Sequence, residues 1–418
     1  MTALVVPDVT SVDASIRFDV AQAVAEVTAQ VAFTVPGPEG GHPALDLRQR
    51  VDLLRLDGRQ LDGEAFSPRD LGGGEGAEVR ILDVAVEPRS RHVLEVGYRL
   101  ERPDVAQAID VGWEDSGVRF DLWMSDLHPG RYLEQWIPAP LVGDRFALSL
   151  EVEVRGTDRP HVAVANCPGG DATAGLSWEL HYPAHFTALS PMLVIAPADA
   201  VEVRRRPVVL AGRGEPVELL CARHIEVDAD LAVCEADVAS WLGYGAERYG
   251  PWAHGPRCTA FVWESGRGME YDGATTAAVE ALEHEVFHSW FGRGVKPATA
   301  SDGWIDEAFT AWATASRRVE HPRFLVEELG LDEDPVVLYP PHPWSRYTPV
   351  EAYAQGARLF AGVAWLLGGA GRLRSAMAAW YQANRGGLIT TDGLEAHLRT
   401  WSGVEVGPWF DRYVHGRG

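Results

Sequence analysis

Lysine is nearly missing from this sequence. Lys296 is the only one among 37 basic residues, and 60 acidic residues leave a formal charge of −23. So little positive charge repels a phosphate backbone, which excludes nucleic acid as an expected partner. An anionic membrane surface is excluded on the same ground. Cysteine is scarce too. Cys167, Cys221, Cys234 and Cys258 are widely spaced and form no C-x-x-C pair. They make neither a disulfide framework nor a cysteine zinc site. Long hydrophobic runs are absent. The longest apolar stretch, near Leu359 to Gly369, is too short to span a bilayer. Residues Met1 to Asp8 lack the basic and apolar regions of a secretory signal. The expectation is a soluble, cytoplasmic protein with reduced thiols and no membrane partner.

A length of 418 residues exceeds one ordinary hydrophobic core, so two domains are expected. The first half alternates with period two. Ile16, Phe18 and Val20 do so, as do Val27, Ala29, Val31, Phe33 and Val35. The clearest run is Phe146, Leu148, Leu150, Val152 and Val154. Such patterning places one strand face in a core and the other in water. Residues 1–213 are read as an antiparallel β domain, ending at the turn Gly212-Arg213-Gly214-Glu215-Pro216. Residues 214–418 are read as a mainly helical domain, giving an α+β chain. A strand remains at Thr259 to Trp263. Helical stripes run through Leu282, Val286 and Trp290, through Phe309, Trp312 and Ala313, and through Val363, Leu366 and Leu367. Gly368-Gly369-Ala370-Gly371 stops the last of these.

The chemistry lies in His284-Glu285-Val286-Phe287-His288. Residues four apart share a helix face, so the two imidazoles can hold one ion. Glu285 can reach a water on that ion. A catalytic zinc takes three protein ligands and keeps one position open. Glu307 is the third ligand expected, with eighteen residues between it and His288. The intervening Gly292-Arg293-Gly294 and Pro297 break the first helix, and Glu307 begins a second. Zinc lowers the pKa of bound water to about 7 and polarises a carbonyl. Glu285 would then accept the water proton and pass it to the leaving amine. Asp306 is read either as a partner orienting a histidine or as an ordinary acid at a helix start.

HEVFH followed by the spaced glutamate of Trp304-Ile305-Asp306-Glu307-Ala308-Phe309 resembles the M1 family of zinc aminopeptidases, within the gluzincins. Gly268-Met269-Glu270-Tyr271 resembles the family's exopeptidase motif, and Tyr353-Ala354-Gln355-Gly356 its Y-x-x-G. Trp136-Ile137-Pro138-Ala139-Pro140 resembles part of the β-saddle domain. Trp409-Phe410-Asp411-Arg412-Tyr413 resembles the close of the catalytic domain. The resemblance implies a β-saddle followed by a thermolysin-like domain holding one zinc. It implies a peptide or small amide substrate with a free amine. Glu270, with Gly268 and Met269, would bind that amine. Tyr353 would donate to the oxyanion, with Tyr347 next in line.

The sequence departs from the family in several places. Arg267 stands where the exopeptidase motif begins with glycine, and Tyr271 where it ends in asparagine. Only thirteen residues separate Glu270 from His284. No counterpart of the family's substrate-side glutamine occurs near Met124 to Pro129, and its large helical C-terminal domain has no counterpart. Phe287-His288-Ser289-Trp290 with Lys296-Pro297 also resembles the related M61 glycyl aminopeptidases. Two other readings stay open. The same zinc and carboxylates suit a non-peptide or biosynthetic substrate, such as an epoxide or another amide. A catalytically silent binding protein is the other.

Overall fold

The structure, a computed structural model, describes residues 3–418 apart from 75, 102–110, 126, 128–131, 142, 265, 319–324, 341, 343 and 346. Part of the stretch Met124 to Pro129, where the family resemblance would place a glutamine, thus lies outside the described residues. The chain forms two compact units, Met1–Val203 with His224–Glu226, and Arg204–Arg223 with Val227–Gly418. The division falls before the turn at Gly212 to Gly214. That turn joins Val201–Val208 to Val217–His224, which are neighbours in one sheet.

The first unit is built from sheets. The largest has seven strands, in the order Ser177–Tyr182, Ala147–Arg155, Asp8–Asp19, Val24–Thr34, Arg91–Arg99, Leu53–Leu56, Arg59–Gln60. Asp8–Asp19 pairs antiparallel with Val24–Thr34 and parallel with Ala147–Arg155. The period-two residues fall as the pattern requires. Val12, Ala14, Ile16, Phe18, Val27, Ala29, Val31, Leu148, Leu150 and Val152 are buried, while the side chains alternating with them are partly or fully exposed. Trp136 is buried as well. Its carbonyl accepts from the Tyr98 hydroxyl at 2.7 Å, and its indole N–H donates to the Trp123 carbonyl at 2.8 Å.

The second unit pairs a five-stranded sheet with helices. The order is Val201–Val208, Val217–His224, Arg257–Trp263, Ala274–Ala278, Gly268–Tyr271. Val217–His224, Arg257–Trp263 and Ala274–Ala278 run parallel, and Gly268–Tyr271 returns antiparallel at the edge. Helix α1 (Leu231–Arg248) starts on an Asp230 cap whose carboxylate accepts from the amides of Ala232 and Val233. Helix α2 (Leu282–Phe287) is short, and α3 (Trp304–Arg318) follows it in the chain. A π-turn at Ala352–Gly356 leads into α4 (Ala357–Leu366). The helical stripes foreseen along the chain meet in one aromatic core. Phe287, Phe291 and Phe309 each set an edge or face against Tyr249 at 5.3–5.8 Å between ring centroids. This packing holds α2 against α3 and so fixes the two elements that carry the expected ligands.

Candidate active site

His284 lies in α2, and His288 is the residue that closes it. Their rings sit 4.7 Å apart and nearly perpendicular. Glu307 comes from the first turn of α3. Its Oε2 is 3.0 Å from His284 Nε2 and 3.5 Å from His288 Nε2. Atoms bound at roughly 2.0–2.2 Å around one tetrahedral zinc stand about 3.4 Å apart, so the three donors fit a single ion. The protonation pattern fits as well. His288 Nδ1 is 3.0 Å from the Phe291 carbonyl, which fixes the proton there and leaves the lone pair on Nε2. That Nε2 is buried and has no hydrogen-bond partner among the described residues. A buried nitrogen without a partner is costly unless a metal takes it.

The charges around the ring favour a positive charge at this point. Burial lowers the His288 pKa, but Glu270, Glu307 and Glu285 outweigh it and raise the ring well above its usual value. Burial likewise raises Glu307, yet His288 and His284 hold its carboxyl below the usual carboxylate range. Three carboxylates thus surround two imidazoles, a field suited to a divalent cation. Asp306 is buried next to Glu307. Its Oδ1 accepts from the Glu307 amide at 2.7 Å, while burial pushes its carboxyl up to about 8. The carbonyl of Phe291, with the Thr310 hydroxyl at 3.3 Å, lies against His288 Nδ1. A backbone acceptor leaves no trace in a side-chain motif, so sequence alone gave no sign of it.

The edge strand Gly268–Tyr271 brings the remaining acids in. Alternation puts Gly268 and Glu270 on one face and buries Met269 and Tyr271 on the other. The Met269 side chain is buried, and its carbonyl accepts from the Thr275 hydroxyl at 3.0 Å. Ligand atoms of Glu270, Glu285 and His288 lie within 4.8 Å of one another. Gly268 explains itself by what a Cβ would meet: Glu285 Oε1 at 2.3 Å and its Cδ at 3.0 Å. The Glu285 carboxylate packs directly on the glycine. Gly268→Ala is expected to keep fold and metal while pushing Glu285 off its position. A shift near 1 Å costs about 10²-fold in rate, read as kcat beside metal content. An unchanged kcat would mean the strand does not place Glu285.

Tyr353 stacks on His284, with ring centroids 5.7 Å apart and planes 22° from parallel. It sits in the π-turn, a rare form of helix that is frequent at functional sites. Gly356 lets that turn close on α3, since a Cβ there would stand 2.4 Å from the Ala308 Cβ. Tyr347 makes no ring contact with either imidazole among the described residues. Two buried cations escaped the sequence reading. Arg293 Nη2 donates to Glu270 Oε1 at 2.7 Å, both side chains being 2% exposed. Lys296 Nζ lies 2.8 Å from Asp272 Oδ2. The one available signal was position, because Arg293 stands between glycines right after the HExxH segment.

No family model and no curated protein matches the sequence. Solved structures do. A mutant of the M1 zinc metallopeptidase from Deinococcus radiodurans, bound to a Tyr-Ser-Ala substrate, superposes with a TM-score of 0.68 at 18% identity. It covers 99% of this chain and 95% of that one. The chain has the M1 zinc metallopeptidase fold. Aminopeptidase A of Legionella pneumophila, in complex with aspartic acid, shares the M1 fold at a TM-score of 0.72 and 13% identity. That likeness covers 98% of this chain and 49% of the Legionella protein. Yeast LTA4 hydrolase gives 0.66 at 13% identity, covering 99% of this chain and 68% of its own. At such low identities the M1 fold is the property shared.

Proposed function

We propose that this chain is a zinc-dependent aminopeptidase that removes the first residue of peptides or aminoacyl amides. The observation that carries the reading is the meeting of His284, His288 and Glu307 at one point, with Glu285 and Glu270 beside it. His284, His288 and Glu307 would hold one zinc, which when bound supplies an acidified water and polarises the scissile carbonyl. Glu285, packed on Gly268, would take the proton of the attacking water and return it to the leaving amine. Tyr353, beside His284, supplies a hydroxyl donor for the oxygen that gains charge. Glu270 accepts from the substrate's ammonium, and its short distance from His288 limits cleavage to the first bond. The strand carrying it lies at a sheet edge, where an extended peptide can align by backbone hydrogen bonds. The tripeptide held by the Deinococcus protein supports a peptide substrate.

A cytoplasmic setting is part of the proposal. All four cysteines are buried free thiols. Among the described residues no helix is long and apolar enough to cross a membrane. The charge of −23 favours a small cationic or amine-bearing ligand over nucleic acid.

The decisive assay compares an aminoacyl fluorogenic amide with its N-acetylated form on zinc-loaded protein. Acetylation removes the charge that Glu270 would bind and adds bulk beside it, so cleavage is expected to stop. Equal turnover of the two substrates would remove the aminopeptidase assignment.

A further inference from the structure

Arg293 lies outside every motif that led to the site. Its guanidinium is anchored through each of its three nitrogens. Nη2 donates to the Glu270 carboxylate at 2.7 Å, Nε to the Glu270 backbone carbonyl at 3.3 Å, and Nη1 to the Gly292 carbonyl at 2.9 Å. It therefore grips both the side chain and the backbone of one residue. Its own amide donates to the His288 carbonyl at 2.9 Å. A single residue thus ties the end of the HExxH segment to the edge strand. Lys296 and Asp272 add a second rung two residues along from Glu270.

We propose that Arg293 is a positioning residue that sets Glu270 at a fixed distance from His288 and so makes it the anchor for a substrate ammonium. The proposal rests on the aminopeptidase reading. Glu270 is buried within 4.8 Å of Glu285, and like charges at that range repel. The guanidinium balances that repulsion and holds the carboxylate in place. It occupies Oε1, which leaves the second oxygen to accept from one ammonium group. An ammonium in place of the guanidinium balances the charge but cannot hold carboxylate and carbonyl together in one plane.

The test uses the full-length, zinc-loaded protein and two probes, an aminoacyl hydroxamate and the same acyl hydroxamate without its amine. In the unmodified protein the amine-bearing probe should bind more tightly. R293K should retain zinc and weaken the amine-bearing probe about 10-fold while leaving the des-amino probe unchanged. The matching free-amine substrate should show the loss in KM rather than in kcat. On an E270A background R293K should add no further loss. R293Q, read the same way, supplies a second variant if the lysine fails to fold. Equal weakening of both probes, or a full R293K effect on the E270A background, would overturn the positioning role. Equal binding of the two probes by the unmodified protein would instead remove the aminopeptidase reading itself.

Discussion

Glu285→Gln is expected to keep its zinc and to lose roughly 10²–10⁴-fold in kcat, the usual worth of a general base. The two side chains have one shape, and the slot against Gly268 receives either. What the amide lacks is the ability to accept a proton. Glu285 is no ligand in the set formed by His284, His288 and Glu307, so metal content should stay at the level of the unmodified protein. Elemental analysis beside single-turnover kinetics separates the two effects. Turnover within a few-fold of the unmodified enzyme would assign the base elsewhere.

His288→Ala should strip the metal altogether, and activity with it. Altering a group that merely orients a ligand typically costs 10–100-fold in metal affinity, so removing a ligand costs more. His288 is the most telling choice because its ring is fully buried, with Nδ1 directed at the Phe291 carbonyl. Glu307→Ala should behave alike, since that carboxylate meets both rings. Zinc retained at one equivalent by both variants would disprove the ligand assignment.

Sequence periodicity revealed the elements that have one wet face. Ala147–Arg155 buries every second side chain, and its pattern is plain. The same reasoning exposed the imidazole pair, because four-residue spacing on a helix is a local fact. Gly268–Tyr271 is different. Three of its four residues are buried, and a four-residue strand holding a glycine shows no alternation to read. Only motif resemblance found it. Arg293 was silent for another reason. Its meaning depends on Glu270, 23 positions away, and on a backbone carbonyl that no residue type encodes. Tyr353 was marked as a candidate, yet the π-turn presenting it rests on how closely Gly356 approaches Ala308. That distance belongs to the packed chain rather than to the four letters of the motif.

The buried Lys296 has a consequence for handling the protein. Its ammonium is held 2.8 Å from Asp272, and its side chain is only 9% exposed. No other lysine exists in the chain. Ester-activated dyes, aldehyde fixatives and amine cross-linkers therefore meet one shielded ε-amine in the folded chain. Enzymatic acylation of Lys296, or ubiquitin transfer to it, requires the strand Lys296–Pro297 to part from Leu388–Ile389 first.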